Sequence, residues 1–584
     1  MNLIWNKNLS LFKSRFPQLA EMIKADLDFF SRYAGTEEEN IKLYPFWNIT
    51  NAKDGNPVAS ENNLRLHSAY NPVREAENLI KSRETEIEGA KAVIFCGMGL
   101  GYAPVITSAN TRKTLIIFEP DINHFLAAML FTDMEKLFSH PSIILAPGCS
   151  TEQAITLVNQ YGILYSCFIS VQAQTQHAQN WFNEFQTLIN RNRNKEEINN
   201  ATLEKFRNLW INNSKKNIEK TTFLEGVNIY KNKAEDLPFL ILAAGPSLGK
   251  ILPYLHKIKN KVITVCVDTA LRSCLRAGCQ PDFIILTDPQ YWAWRHIAGL
   301  KSPESILIAE NAVYPSTFKF ECKKTVVCSS QIPVGLFYEK HIKEHGSLGA
   351  GGSVASCAWN FAQLAGSKLI FTAGLDLSFP SKQTHIKGST FEQMSHTNST
   401  RIKSAETAGM PLLFSGNASL EKDYNGKAVL SDQRMKMFAW WLEARIAACP
   451  EIKNYTIAPE GLKIPGITPC KIEKILELPE ILEQKQKFLS EKDDSINGEE
   501  CKIKFSQADI LFKEQIQKAL NISTEALKNL KSISPSPEEF QKELASLEIH
   551  SILELIPPTN LKNLSVTERY EKSFSAIQKF CKNY

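Results

Sequence analysis

Short aliphatic runs alternate with helical or turn segments through the middle of the chain, and this alternation constrains the fold more than any other feature. Six such runs occupy residues 239–243, 262–267, 283–287, 306–309, 325–328 and 369–372. Strands that are apolar along their whole length and separated by helices are typical of a parallel sheet covered on both faces. The pattern therefore predicts a Rossmann-like α/β fold with a mostly parallel sheet.

The flanking regions have different compositions. Before residue 90 the apolar residues follow helical spacing, and two further aliphatic runs, 92–96 and 115–118, enclose a glycine turn that predicts a second α/β arrangement. Beyond about residue 471, Lys-, Glu- and Leu-rich segments broken by prolines predict helices. The 584 residues exceed what one core can hold. We expect an N-terminal helical plus Rossmann-like domain, a central catalytic α/β domain and a helical C-terminal domain, covering residues 1–235, 236–470 and 471–584.

Charge and hydropathy exclude several classes of function. The 67 Lys and Arg residues against 62 Asp and Glu leave a net charge of +5 without a long run of one sign, so no nucleic-acid partner is expected. Thirteen cysteines without a CxxC pair are typical of thiols kept reduced in the cytosol. Neither a signal peptide nor an 18-residue apolar stretch is evident, so stable membrane insertion is not expected. These features predict a cytoplasmic protein of undetermined oligomeric state.

A glycine turn follows the first central run. Small residues at 243–245 would let a ligand approach the backbone, Pro246 suits the first turn of a helix expected over 250–255, and Ser247 offers a hydroxyl beside free amides. Such a turn could bind a phosphate or carboxylate, with Gly245, Pro246 and Ser247 as the contacts. The spacing matches neither a Walker loop nor GxGxxG. Tight strand-to-helix packing explains it equally well.

Carboxylates follow three of the other runs. Asp268, Asp288 and Asp376 stand at predicted strand ends, which meet at one edge of a parallel sheet, where ligands bind. A single Asp there is often only a helix cap. Several beside the glycine turn could accept hydrogen bonds from sugar hydroxyls or a nucleotide base.

Two more segments belong to the same edge. Gly352 leads into Ser353, a good N-cap for a helix with apolar residues at i, i+3, i+4 and i+7 spacing. A polar loop over 380–388 is long enough to act as a lid and contains His385.

Taken in order, these residues resemble the motility accessory factor (Maf) family of flagellin glycosyltransferases, within the group described as 6-hydroxymethylpterin diphosphokinase MptE-like, once known as domain of unknown function 115. The resemblance rests on the GPSL turn at 245–248, Asp268, Asp288-Pro289, Gly352-Ser353, Asp376 and the loop with His385, and it spans roughly residues 60–470. It implies transfer of a nonulosonic acid, pseudaminic or legionaminic, from a CMP-sugar to Ser or Thr of flagellin, as needed for flagellum assembly and motility.

The central domain also resembles bacterial sialyltransferases that use CMP-sialic acid without a metal, although two Asp residues stand where those enzymes have Asn. The resemblance implies that flagellin and the CMP-nonulosonic acid are the partners, with no separate cofactor. It implies His385, Asp288 and Asp376 as catalytic residues, with His396 the second choice of base and a solvated loop residue the alternative for His385. The implied CMP-binding residues are Gly245, Pro246, Ser247, Asp268, Asp288, Gly352 and Ser353.

No metal is expected. Asp26 and Asp28 lie two apart in a predicted helix and point to different sides. The segment His341-Ile342-Lys343-Glu344-His345 matches an inverted zinc-protease pattern, yet it lies at a helix end where His suits the dipole.

Three alternatives stay open. A methyltransferase is suggested by Gly97, Gly99 and Gly101 after a strand, with Glu119 closing the next strand, although packing also explains these glycines. A pterin diphosphokinase is suggested by the broader family group. A flagellin chaperone or export adaptor would use the C-terminal helices for binding alone.

Overall fold

The structure is a computed structural model that describes the chain except for residues 1–2, 35–46, 235, 350, 415, 493–497, 531–534 and 558–564. Two units are distinguished by their internal contacts, unit 1 over Met1–Asn199 and unit 2 over Asn200–Tyr584. The division into three domains stays a prediction. In the described part, no helix has the length and apolar character needed to cross a membrane.

Unit 1 contains two sheets. The antiparallel sheet consists of β1 (Asn48–Asn51), β2 (Pro57–Glu61) and β3 (Leu64–Arg65), and the parallel sheet of β4 (Ala92–Cys96), β5 (Thr114–Glu119), β6 (Ile143–Pro147) and β7 (Ser166–Ser170) in the order β6-β5-β4-β7. The predicted second α/β arrangement is therefore confirmed.

Helices cover both faces of the β4–β7 sheet, and the last of them continues past residue 199. The α-helices are Leu3–Arg15, Pro17–Met22, Lys24–Ala34, Pro72–Ser82, Glu84–Gly89, Tyr102–Asn110, Ile122–Phe131, Glu135–Phe138, Thr151–Tyr161, Gln172–Thr175 and Gln179–Thr222, with 3-10 turns at Ile163–Tyr165 and Gln176–Ala178. Separate groups of buried apolar residues pack on the two faces of this sheet.

Unit 2 is built on a nine-stranded sheet in which every pair of neighbours is parallel. Its strands are β8 (Glu225–Gly226), β9 (Phe239–Leu242), β10 (Ile263–Val267), β11 (Phe283–Leu286), β12 (Lys301–Glu310), β13 (Glu321–Cys328) and β14 (Leu369–Ala373), then β17 (Lys453–Thr456) and β18 (Ile467–Pro469), in the order β18-β17-β14-β9-β10-β11-β12-β13-β8. A hairpin of β15 (Ser419–Lys422) and β16 (Ala428–Ser431) lies apart from it. The six predicted central strands and the Rossmann-like class are confirmed.

Helices of unit 2 cover this sheet and form its C-terminal part. The α-helices are Leu255–Ile258, Asp268–Arg276, Tyr291–Ile297, Pro333–His341, Val354–Leu364, Thr390–Thr397, Ala405–Phe414, Gln433–Ala447, Glu473–Leu476, Leu482–Leu489, Gly498–Lys528, Pro537–Ala545, His550–Glu554 and Val566–Asn583. The 3-10 turns are Val227–Tyr230, Pro246–Lys250, Leu252–Tyr254, Pro315–Lys319 and Pro380–Lys382. The central strands β9, β10 and β11 are buried along their whole length, as their unbroken apolar runs predict.

Candidate functional site

The strand order creates a switch point at β9. From β9 the chain proceeds through β10, β11, β12 and β13 in one direction along the sheet, and then returns to place β14 on the other side of β9. Ligands of open α/β sheets bind at the carboxyl ends of the strands at such a point. We call the residues that follow β9, β10, β11 and β14 the switch-point edge.

The glycine turn after β9 is locked to the end of β14. The Gly245 amide donates to the Gly374 carbonyl at 2.8 Å. A Cβ at Gly245 would lie 2.5 Å from the Gly374 oxygen and 2.4 Å from Asp376 Oδ2, and one at Gly374 (φ +75°) would lie 2.1 Å from the Ala243 oxygen. Only glycine fits at either position, because any side chain would separate the two strand ends.

The prediction of an α-helix over 250–255, directly after this turn, is wrong. Residues Pro246–Lys250 and Leu252–Tyr254 form 3-10 turns, and an α-helix begins only at Leu255. Pro253 explains the difference, because proline has no N–H and disfavours the α conformation in the residue before it.

Ser247 and Asp376 bond to each other across the switch point. The Ser247 amide donates to Asp376 Oδ2 at 2.9 Å, and its hydroxyl donates to Oδ1. Both residues are buried. Burial raises the pKa of the Asp376 carboxyl, while the two bonds from Ser247 oppose that shift. The Ser247 groups that the sequence suggested for an anionic ligand therefore already bind a carboxylate of the chain.

Asp268 and Asp288 stand at the neighbouring strand ends. Burial, and then repulsion from Asp288, raise the pKa of the buried Asp268 carboxyl to about 8. Burial also raises the pKa of Asp288, although its oxygens accept hydrogen bonds from the Gln290 amide at 2.8 Å and side chain at 3.3 Å. A carboxyl that keeps its proton near pH 7, as Asp268 does, can donate a hydrogen bond.

The helix Val354–Leu364 begins at the same edge. Ser353 caps it, because its Oγ accepts from the Ala355 amide at 3.3 Å, as the sequence predicts. Gly352 has φ +74°, and a Cβ there would lie 2.7 Å from Phe438 Cε1. Thr287 Oγ1, just before Asp288, is 3.8 Å from Cys357 Sγ in the first turns of the helix. Ser353 and Asp288 therefore belong to one region. Ala350, which the sequence places in the glycine-rich approach to this helix, lies outside the described residues.

The loop with His385 lies against the glycine turn, since the Ile386 amide donates to the Ala244 carbonyl at 2.9 Å. The His385 ring stacks on Phe391 with centroids 4.3 Å apart. Burial lowers the pKa of His385 to about 4, so the ring is neutral near pH 7. Its Nδ1 is buried and has no hydrogen-bond partner among the described residues. His396 is exposed, near the end of the helix Thr390–Thr397.

Three arginines, Arg272, Arg276 and Arg295, form a group that reaches this loop through Arg276, and the sequence reasoning missed them. Burial, and then repulsion from Arg276 and Arg295, lower the pKa of Arg272. Arg276 Nη1 donates to the Gly388 carbonyl at 3.0 Å, which anchors the loop. Within the described ranges, no carboxylate lies within 4.0 Å of any of the three guanidinium groups. The i, i+4, i+8 spacing of Asp268, Arg272 and Arg276 was a sequence signal for two of the arginines, because it places these residues on one helical face. Arg295 lies on the next helix, Tyr291–Ile297, and had no such signal.

Glu310, which ends β12, was also missed. Burial raises the pKa of its carboxyl to about 7. Its Oε1 accepts from the Ser330 hydroxyl at 2.6 Å and the Gln331 amide at 3.0 Å. These bonds hold Glu310 on the segment after β13, so we assign it a structural role.

The glycine turn of unit 1 is filled by protein groups. A Cβ at Gly99 would lie 2.7 Å from His67 Nε2, and that nitrogen accepts from the Leu100 amide at 2.9 Å. A Cβ at Gly97 would lie 2.7 Å from the Gln174 carbonyl. The turn therefore serves close packing, as the alternative to a nucleotide-binding role predicts.

The zinc-protease-like segment does not present two histidines together. The helix Pro333–His341 ends before His345. His341 Nε2 lies 2.9 Å from Glu548 Oε1, whereas His345 Nδ1 lies 3.7 Å from Glu339 Oε1. Each histidine lies near a different carboxylate, so the two do not converge on one ion.

Comparison with known proteins links part of the chain to a described family. Residues 208–382 match the family model described as 6-hydroxymethylpterin diphosphokinase MptE-like. Three relatives from Treponema pallidum (strain Nichols), each described as an uncharacterized protein, are 32%, 27% and 25% identical over 232, 258 and 183 residues. The matches cover 35%, 44% and 29% of this chain and 59%, 85% and 30% of the respective relatives, so the chain spans little more than half of the first relative.

One solved structure resembles the chain along its whole length. It is the Maf glycosyltransferase from Magnetospirillum magneticum AMB-1, with a TM-score of 0.63, 14% identity, and coverage of 100% of this chain and 91% of that one. At this identity the likeness establishes the fold.

Proposed function

We propose that the protein is a glycosyltransferase that moves a nonulosonic acid of the pseudaminic or legionaminic type from a CMP-sugar to Ser or Thr of flagellin. The observation that carries this proposal is the full-length likeness to the Maf glycosyltransferase fold. The family model over residues 208–382 supports it, because that range contains most of the switch-point edge. The proposed setting is the cytoplasm, before flagellin export and flagellum assembly.

The donor carries two anionic groups, a phosphate and a sugar carboxylate. In this proposal Arg272, Arg276 and Arg295 attract them. Arg276 bonds the loop with His385, the other two lie close enough for Arg272 to feel the charges of Arg276 and Arg295, and none of the three has a carboxylate partner in the described part of the chain. Gly352 and Ser353 would receive the phosphate oxygens at the start of the helix Val354–Leu364. Preorganised donors of this kind stabilise charge that develops on a leaving group.

The reaction forms a bond from the acceptor oxygen to the anomeric carbon and breaks the bond from that carbon to the CMP phosphate. The bonding electrons leave with CMP, and the acceptor proton passes to His385, which is neutral before the donor binds. An anionic donor beside the ring would raise its pKa and make it a stronger base. Asp268, protonated near neutral pH, would donate a hydrogen bond to a donor oxygen, while Asp288 would accept from a hydroxyl.

Asp376 and Ser247 act through each other in this proposal. The pair keeps the turn after β9 against the end of β14, and Gly245 and Pro246 give that turn its shape. No metal is required by this scheme, since the positive charges come from arginine. Exposed Tyr291 and Trp292, just after Asp288, offer an apolar surface suited to a protein acceptor.

The first test is the intact mass of flagellin from cells with and without the gene. Loss of the gene is expected to remove a mass equal to one or more nonulosonic acid residues. An unchanged mass would contradict the proposal.

The second test uses purified protein, flagellin and the CMP-sugar. We expect His385→Ala to reduce CMP release by about 10²- to 10⁴-fold, the usual contribution of a general base, and the matched His396→Ala to leave it nearly unchanged. The reverse result would move the base to His396. A variant Asp288→Ala that still binds flagellin but leaves it unmodified would exclude a purely chaperone or adaptor role.

A pterin diphosphokinase is the second candidate, favoured by the description of the matching family model. It would transfer a diphosphate from ATP with Mg²⁺ and release AMP. AMP formation from ATP and a hydroxymethylpterin, without CMP-sugar turnover, would support this reading. The described part of unit 1 gives no support to a methyltransferase, because its glycine turn is filled by His67 and Gln174.

A further inference from the structure

Unit 1 contains a cluster of potential metal ligands that the transfer reaction does not use. Glu61 ends β2, His124 lies in the first turn of the helix Ile122–Phe131, and His177 lies in the 3-10 turn Gln176–Ala178. One ligand atom from each side chain lies within 4.8 Å of the other two. Among the residues that the structure describes, this is the one group of three His, Cys, Asp or Glu side chains that close together. The ligands are 63 and 53 positions apart in sequence, so local spacing gave no sign of them.

Each imidazole also lies close to a carboxylate outside the three proposed ligands, Asp121 for His124 and Glu119 for His177. His124 Nε2 lies 3.1 Å from Glu61 Oε2, and its Nδ1 lies 3.1 Å from Asp121 Oδ2. His177 Nε2 lies 2.7 Å from Glu119 Oε1. Metal-bound histidines commonly donate their other ring N–H to a carboxylate, which fixes the ring and its tautomer. Glu119 already bonds the His177 ring in this way, whereas Asp121 lies within reach of His124 Nδ1 without hydrogen-bond geometry and would have to turn towards it.

The charges of the cluster favour a cation. Three carboxylates surround two imidazoles, and the His124, His177 and Glu119 side chains are only 6%, 6% and 1% exposed. A divalent ion bound between these side chains would compensate the negative charge of the carboxylates, of which Glu119 is the buried one.

We propose that Glu61, His124 and His177 bind a divalent transition metal ion such as Zn²⁺, with Asp121 and Glu119 orienting the two rings. Two imidazoles and one carboxylate suit zinc and leave a fourth position for water. Glu61, whose side chain is 23% exposed, gives access from solvent. Because the rings now stack with centroids 4.0 Å apart, binding must tilt them until their lone pairs converge. Ligands of a tetrahedral ion at ~2.1 Å lie about 3.4 Å apart, so the three side chains must also close in.

The test titrates the full-length, chelator-treated protein with Zn²⁺ in competition with a chromophoric chelator, and with Co²⁺ by visible absorption. We expect one tight equivalent per chain and the d–d bands of a low-coordinate Co²⁺ site. His124→Ala and His177→Ala should each abolish that equivalent. The matched control is His256→Ala, an exposed histidine elsewhere in the chain, which should retain it.

Two milder variants keep the test decisive if the alanine variants misfold. Glu61→Gln preserves shape at a partly exposed position and should weaken binding, and Asp121→Asn should weaken it by about 10- to 100-fold, as is usual for groups that orient a metal-bound histidine. The proposal would be overturned if the unaltered protein bound no saturable equivalent, or if Glu61→Gln and His124→Ala both bound zinc as tightly as the unaltered protein. The cluster would then be a network of His–carboxylate pairs. CMP release is a separate readout, because the transfer residues belong to unit 2.

Discussion

The contact between Ser247 and Asp376 determines what the turn after β9 can bind. A carboxylate that already accepts from both the amide and the hydroxyl of Ser247 repels a second anion at that point. Both residues could be predicted to lie at the sheet edge, because each follows an apolar run. Their mutual bond could not be predicted, since it requires β14 to lie beside β9 and the order of strands in a sheet is not written in their local sequence.

Gly245 offers the sharpest test of this packing. Gly245→Ala should lower the free energy of unfolding by about 1–3 kcal/mol, the usual effect of overpacking, because the added Cβ meets Asp376 and the Gly374 carbonyl. The matched control is Gly249→Ala four residues on, where a Cβ meets nothing within 4 Å. That variant should change the free energy by less than about 0.5 kcal/mol. Urea denaturation measures both, and equal losses would show that the turn tolerates a side chain.

The Asp268 carboxyl should make the free energy of unfolding fall as pH rises, the opposite of the usual effect of an acidic residue. Its pKa rises from 3.8 to about 8 on folding, so between these values the native state holds a proton that the unfolded state has lost. Its stabilising contribution is complete below the unfolded pKa and declines as pH rises through the folded one. Asp268→Asn stays neutral and should gain stability relative to the unaltered protein by up to about 1.4 kcal/mol per pH unit over this window.

The measurement is denaturant unfolding of both proteins at several pH values between about 5 and 8. Glu310→Gln serves as a companion, because burial also raises the pKa of Glu310, to about 7. The free-energy difference between Glu310→Gln and the parent should therefore stop growing near pH 7, whereas that of Asp268→Asn should keep growing up to about pH 8. A free-energy difference between Asp268→Asn and the parent that is constant with pH would contradict the assigned shift.

At the scale of elements, apolar patterning predicted the central strands correctly, whereas local helix signals were less accurate. The six central strands appear where aliphatic runs predict them, and Ser353 caps its helix as its position before the apolar spacing predicts. The helix after Ser247 failed because Pro253 interrupts it, a signal that was present but outweighed by the glycine-turn pattern. Short edge strands such as β8 and β18 have no apolar run of their own, so only pairing reveals them.

Substitutions at Ser353 can separate its role as a helix cap from its proposed role in binding the donor phosphate. Ser353→Ala should cost about 1 kcal/mol of stability, since the Ala355 amide loses its acceptor. Ser353→Asp keeps an equally good cap, yet it places a negative charge where we propose that the donor phosphate binds. It should therefore retain stability and reduce CMP release by about tenfold or more.

Ser536 provides the control, because it caps the helix Pro537–Ala545 in the C-terminal part of unit 2 by the same kind of bond. Ser536→Asp should preserve both thermal stability and CMP release. If Ser353→Asp also preserved CMP release, phosphate binding at this helix start would be ruled out.

At the scale of the whole molecule, the C-terminal helices share a core with central elements of unit 2. Phe512 and Ile552 pack in one apolar cluster with Ile211, Val334 and Phe337. Tyr338 Oη also donates to Asp509 Oδ1 at 3.1 Å. The helical character of this region could be predicted from composition. Its packing partners could not, because an amphipathic stripe shows that a face is buried without showing what buries it.

This shared core predicts that damage to the terminal helices spreads to the sheet. Phe512 is fully buried, so Phe512→Ala should cost about 3–5 kcal/mol, a large part of the stability of a typical protein. Ile510→Ala, on the same helix at a position 56% exposed, is the matched control and should cost less than about 0.5 kcal/mol. Hydrogen exchange then locates the effect: because Phe512 packs against the helix that follows β13, peptides from β9 and β10 should lose protection together with those from 498–528. Loss confined to the terminal helices would mean that they unfold as a separate domain, as the composition change near residue 471 suggested.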